Sequence, residues 1–260
     1  MKTSFLLFRF SEIICYSYYA NEKVTIMHMK NYTTSVLLKS AAVLILFTLA
    51  LTNQKTEAQQ MFVDDSEVTT YRSFQIETWY GSRESWFLTA ISPVRGLEIG
   101  TGFGFDSRDG FDPASWILEA KFEAVSLEER GWGIGTAAGI LYDLDGDLEE
   151  VFAYIPYSQM ILNDSSVMHI NVGFQAVQEQ NWEYELITGI RGDFGITDRF
   201  TLLGEFAAAN FGDLFYQGGL RITFIPDLLE MDITYGEGIR RMETAPGFNI
   251  GIAFTPNRLW

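Results

Sequence analysis

Cysteine is almost missing from this chain: Cys15 is the only one in 260 residues. Its neighbours Ile13 and Ile14 do not offer the small residue that lipid attachment expects just before the cysteine. Past residue 58 there is no thiol, which excludes disulfides, thiolate metal sites and cysteine nucleophiles from the rest of the chain. Basic residues are scarce too, 18 Lys+Arg against 34 Asp+Glu, for a net charge of −16. That balance excludes a nucleic-acid partner, because phosphate binding needs a basic footprint. No apolar run reaches the ~20 residues a membrane-spanning helix needs. No G-x-S-x-G elbow is present, and no lysine follows the glycine-rich stretches as a phosphate loop requires.

What charge there is divides unevenly. Residues 1–58 hold six Lys/Arg and three Asp/Glu, whereas 59–260 hold twelve and thirty-one. Lys30 and Lys39 precede an apolar run from Ala41 to Leu51, followed by a polar stretch ending Thr56-Glu-Ala58. Basic region, short apolar core and small residues are the order of a cleavable signal peptide, with cleavage expected after Ala58. Met27 and Met29 stand just ahead of Lys30, and either one makes a shorter, more ordinary leader start. The expected organisation is an extension and signal peptide over 1–58, a short N-terminal segment over 59–70, and one domain over 71–260.

That domain repeats one texture. In Leu97–Asp106 one face reads Leu97, Ile99, Thr101, Phe103, Phe105 and the other Glu98, Gly100, Gly102, Gly104, Asp106. Period two means strand, since successive side chains leave opposite faces. The same parity recurs in 131–142, 166–177 and 247–256. Twelve segments are predicted: 72–80, 84–92, 96–106, 114–124, 131–142, 149–158, 166–177, 182–194, 199–208, 214–225, 228–236 and 247–256. The second and sixth carry apolar residues on both faces and contain or abut Pro156 and Pro93, which weaken a strand. An even strand number places both ends of the domain on the periplasmic side, with tight turns there and longer polar turns at the outer rim.

Alternation alone fits a secreted soluble barrel, such as a lipocalin-like carrier, as well as a membrane one. Trp132 and Tyr142 share one uncharged face ten residues apart, which spans roughly 23 Å at ~3.3 Å per residue and a ~45° tilt. That matches the ~25 Å apolar band of an outer-membrane barrel. Trp182 and Tyr184 at one strand end and Phe194 at the other repeat the girdle. Glycine gathers on the polar faces, where a crowded interior needs small residues beside large ones. A lipid-facing sheet cannot leave an edge, so the membrane reading requires closure. The fold predicted is all-β, a closed antiparallel up-and-down transmembrane β-barrel of about twelve strands.

Over roughly 70–260 the chain resembles the small bacterial outer-membrane β-barrels of the porin-like transporter group. The resemblance is carried by the Ile196–Glu205 turn-and-strand, the Phe215–Arg221 strand and the terminal aromatic Trp260. Phe254 and Ile252 keep the family's alternation before that aromatic, whereas Pro256 and Arg258 depart from it. The resemblance implies a Gram-negative outer-membrane protein, engaging the barrel-assembly machinery through its last strand and lipid through its outer face. A monomer with no cofactor is expected.

With the apolar face outward, ten acids point inward: Glu77, Glu98, Glu119, Glu123, Glu183, Glu185, Asp193, Glu205, Glu230 and Asp232. Three bases join them, Lys121, Arg191 and Arg221. One reading is a passive channel for small, cationic solutes, since a ring of carboxylates lowers the barrier for positive charge. The other is a non-conducting structural barrel whose polar core is interlocked, with Arg191 and Arg221 clamped by carboxylates. Twelve strands allow either. His169, the only histidine after residue 58, lies on the polar face near the periplasmic end of its strand; no nucleophile or orienting acid beside it is legible, and no enzyme is expected. Asp143-Leu-Asp-Gly-Asp147 resembles half a calcium loop, although Asp-Gly is also a common hairpin turn. No metal site is assigned.

Overall fold

The computed structural model describes residues 61–260, apart from 109, 163–164, 179, 210–212, 240–245, 258 and 260. The expected leader over 1–58, the alternative starts, Cys15 and the terminal Trp260 fall outside the described residues. Twelve strands form the domain: β1 (Phe74–Gly81), β2 (Glu84–Val94), β3 (Leu97–Asp106), β4 (Asp112–Val125), β5 (Trp132–Asp143), β6 (Leu148–Ile161), β7 (Ser166–Gln178), β8 (Trp182–Thr197), β9 (Phe200–Ala209), β10 (Asp213–Ile225), β11 (Leu229–Gly238) and β12 (Gly247–Phe254). One helical turn, α1 (Leu127–Arg130), joins β4 to β5 and buries Leu127. Each strand pairs antiparallel with its sequence neighbour, and β1 closes the barrel on β12 with Thr78 opposite Ile252. No edge is left over.

The faces are inverted relative to a water-soluble core. Along β12, Gly247, Asn249, Gly251 and Ala253 are buried inside while Phe248, Ile250 and Ile252 stand exposed outside. Phe103, Phe122, Val172, Phe174, Leu186, Ile190, Leu202 and Phe206 likewise point out, from strands all round the barrel. A soluble protein rarely exposes contiguous apolar surface on this scale. Buried positions are instead dominated by Ser, Asn, Gln, Asp, Glu and Arg. A soluble carrier would show the reverse.

The two ambiguous strands have a common cause. On β6 the inward side chains include Phe152 and Tyr154, and on β2 Leu88 and Ala90 face the lumen. Apolar residues therefore occupy both faces there. Inward glycines on neighbouring strands make the room: a Cβ on Gly102 would overlap Leu88, and one on Gly139 would strike the Phe152 ring. The prolines interrupt ladders without ending strands. β5–β6 pairing passes from Ile134↔Tyr157 to Ala137↔Tyr154 across Pro156, and β2–β3 pairing shifts register between Ile91 and Val94 around Pro93. A missing N–H costs ladder bonds, and both strands absorb the loss.

Candidate functional site

The lumen has two unlike sides. Over β7–β11 it is filled by an ion network. Arg221 grips Asp232 bidentately, Nε to Oδ1 at 2.9 Å and Nη2 to Oδ2 at 3.0 Å. The same guanidinium lies 3.4 Å from Asp193 Oδ2 and 3.5 Å from Glu230 Oε2. Arg191 Nε sits 2.9 Å from Asp193 Oδ1. Gln217 donates to Thr234 Oγ1 at 2.7 Å, and Thr223 donates to Glu230 Oε1 at 2.6 Å. All of these groups but Thr223 are buried. Burying charge is costly, and bidentate, multiply bonded pairing offsets that cost.

Against β1–β6 a cavity of about 1260 Å³ remains, reaching Asn171 and Gln175 on β7 and Thr188 on β8. Glu77, Glu98, Glu119, Glu123 and Glu150 line it from the wall, with the aromatic rings of Trp79, Phe152 and Tyr154. Eleven acidic residues border it in all, against two basic ones, Arg95 and Lys121.

Between the two sides runs the chain ahead of β1, which sequence patterning marks only as a short segment. Ser73 Oγ donates to the Pro256 carbonyl at the end of the barrel where β1 begins and β12 finishes. From there the segment climbs into the lumen as it is followed back toward residue 61. Thr69 N donates to Glu98 Oε2 at 2.6 Å, and Ser66 N to Ser158 Oγ at 2.9 Å. Asp64 and Asp65 take Lys121 Nζ at 2.9 and 3.2 Å. Tyr154 donates its hydroxyl to Asp64 Oδ2 at 2.7 Å and lies 3.1 Å from Glu119 Oε1. With its amide turned to match, Asn171 accepts from Asp64 N and donates to Asp64 O, at 2.8 and 2.9 Å. Glu205 accepts two consecutive N–H groups, Val63 at 2.9 Å and Phe62 at 3.1 Å, and Arg191 donates to Val63 O at 2.7 Å. Val63 is fully buried with Ala207 and Phe215, and Phe62 meets the Phe215 ring edge-on at 5.4 Å.

The thirteen inward charges read from sequence thus divide. Asp193, Glu230, Asp232 and Arg221 belong to the packed network, which Arg191 and Glu205 join to the N-terminal segment. Glu77, Glu98, Glu119, Glu123 and Lys121 face the cavity. Glu185 accepts from Gln175 at 2.7 Å toward the start of β8. Glu183 has inward parity but is exposed, one residue into the same strand. Among the girdle residues, Trp132, Trp182, Tyr184 and Phe194 are exposed, while Tyr142 stacks on Trp116 with centroids 4.7 Å apart.

His169 has neighbours that sequence spacing did not reveal. Its Nδ1 lies 2.8 Å from Ser158 Oγ and its Nε2 3.8 Å from Asp193 Oδ2. Ser158 and His169 are fully buried, and Ser158 Oγ is occupied by the Ser66 N–H. Strand pairing set this up, placing Ser158 opposite His169 and His169 opposite Arg191. The Asp143–Asp147 stretch is a closed turn in which Asp143 Oδ1 accepts Asp147 N at 2.8 Å and Gly146 adopts φ +91°. Among the described residues, no group of three or more His, Cys, Asp or Glu could hold a metal ion.

No curated protein matches the chain. Solved barrels do. A KdgM porin in complex with disordered oligogalacturonate aligns with a TM-score of 0.54 at 8% identity, over 71% of this chain and 99% of that one. The COG4313 outer membrane channel from Pseudomonas putida F1 aligns with a TM-score of 0.53 at 9% identity, over 75% and 98%. At such identities the likeness speaks for the fold alone, a closed antiparallel β-barrel like those of the porins and outer-membrane channels it aligns with. A family model covers residues 45–253, and the chain therefore belongs to the family described as uncharacterised conserved protein UCP029691.

Proposed function

We propose that the protein is a porin-like passive channel for small, preferentially cationic solutes. The observation that carries this reading is the acidic cavity: eleven acidic residues against two basic ones, inside an inverted, closed barrel. Excess carboxylate in a confined passage raises the local concentration of cations and repels anions. A polyanion such as the oligogalacturonate of the KdgM complex is accordingly disfavoured here. The barrel reaches the outer membrane after loss of its leader, works as a monomer, and engages the assembly machinery through its last strand.

The channel catalyses nothing. Ser158, His169 and Asp193 follow the order of a hydrolytic triad, but a nucleophile must reach a substrate carbonyl, and this hydroxyl is buried and already accepts an N–H. A non-conducting structural barrel is the second reading, favoured by the filled side over β7–β11. The two separate in a planar bilayer under a salt gradient. Cation preference at neutral pH should decline in acid as the cavity carboxylates take up protons. Absence of conductance, or a reversal potential that stays flat with pH or favours anions, rejects the channel proposed.

A further inference from the structure

The interior grips the N-terminal segment chiefly by its main chain. Glu205 takes the N–H groups of residues 62 and 63, Arg191 the carbonyl of residue 63, and Ser158 the N–H of residue 66. These partners lie 92 to 143 residues away in sequence, so the site is a product of the closed barrel. The wall is also shaped for the segment. A Cβ on Gly189 would overlap Val63, and one on Gly133 would overlap Ser66 Oγ. We propose that residues 62–69 form a built-in constriction, seated in their own binding site on β6–β9, that sets both the conductance and the charge preference of the passage.

The electrostatic part follows from what the segment brings. It adds Asp64, Asp65 and Glu67 to the cavity wall. It also places two carboxylates on Lys121, the one basic side chain on the cavity face of the strands. Without the segment the lumen would lose three negative charges and regain one positive one. The wall holds the segment on both flanks, its carboxylates by Lys121 and Tyr154 on one and its main chain by Arg191 and Glu205 on the other, which marks a fixed element of the passage.

This inference rests on the channel reading, and the experiment separates the two. Residues 62–69 are replaced by a Gly/Ser run of equal length, leaving the Ser73 contact and strand closure in place. Single-channel conductance should rise about twofold or more, and cation preference should fall. A synthetic peptide of the sequence 62–69, added to the variant, should reduce the conductance again. Unchanged conductance and selectivity overturn the constriction while leaving the channel standing. A silent wild type with a conducting variant overturns the open channel and supports the constriction; silence in both overturns both. If the replacement does not fold, Ser66→Cys in the full chain, with Cys15 lost or replaced, decides. Its thiol should resist a charged reagent in the folded barrel and react after denaturation. Labelling in the folded barrel overturns the proposal.

Discussion

The two sides of the lumen start from the same kind of residue and end differently. Over β7–β11, Asp193, Glu230 and Asp232 surround Arg191 and Arg221 closely enough that little space is left. Over β1–β6, Glu77, Glu98, Glu119 and Glu123 share one lysine, and that lysine is taken by the N-terminal segment. Two guanidiniums, each able to bind carboxylates along more than one edge, account for the difference. A carboxylate-rich wall collapses into a packed network where arginine is supplied and stays open where it is not. The barrel thereby combines a filled side with an open one.

Breaking the network should have the largest effect. Arg221→Ala leaves Asp232, Asp193 and Glu230 buried together and should cost about 3–5 kcal/mol, whereas Glu119→Gln beside the cavity should stay within about 1 kcal/mol. Urea midpoints of the refolded barrels, followed by circular dichroism, measure both. Equal costs would erase the distinction. Next come outward substitutions: Ile190→Arg on β8 and Phe103→Arg on β3 should each cost about 2–4 kcal/mol if near the middle of the bilayer. The two should agree, because the lipid face does not share the asymmetry of the interior. Steric tests follow. Gly189→Val drives a side chain into Val63 and should cost about 1–3 kcal/mol. Gly100→Ala meets nothing nearer than 3.7 Å and should change stability by less than about 0.5 kcal/mol. Between these two falls Ser158→Ala, which removes the acceptor of Ser66 N and the partner of His169, for about 1 kcal/mol.

Much of this architecture was legible because strand period and barrel inversion act locally. Leu97–Asp106 shows both faces in ten residues, and the structure places β3 there, one residue inside the predicted 96–106. Pairing of Arg221 with acids was also readable from parity, since Arg221 and Asp232 share the inward face. Three features were not. α1 is a single turn around Leu127, too short to show a period. The Ser158–His169–Asp193 cluster depends on the register of three strands, which no one segment encodes. The inserted segment carries no alternation, and its partners are scattered from Glu98 to Glu205. The only local hint was surplus room, in the inward glycines at 133 and 189.

Residues 59–260 contain no cysteine, so single thiols placed there report on each side of the lumen without interference. Glu119→Cys and Thr234→Cys, each in a chain without Cys15, are exposed to a small cationic thiol reagent during bilayer recording. The account predicts fast modification and a stepwise fall in current at Glu119→Cys, and protection at Thr234→Cys. Equal reaction at both positions, or none at Glu119→Cys, would contradict it.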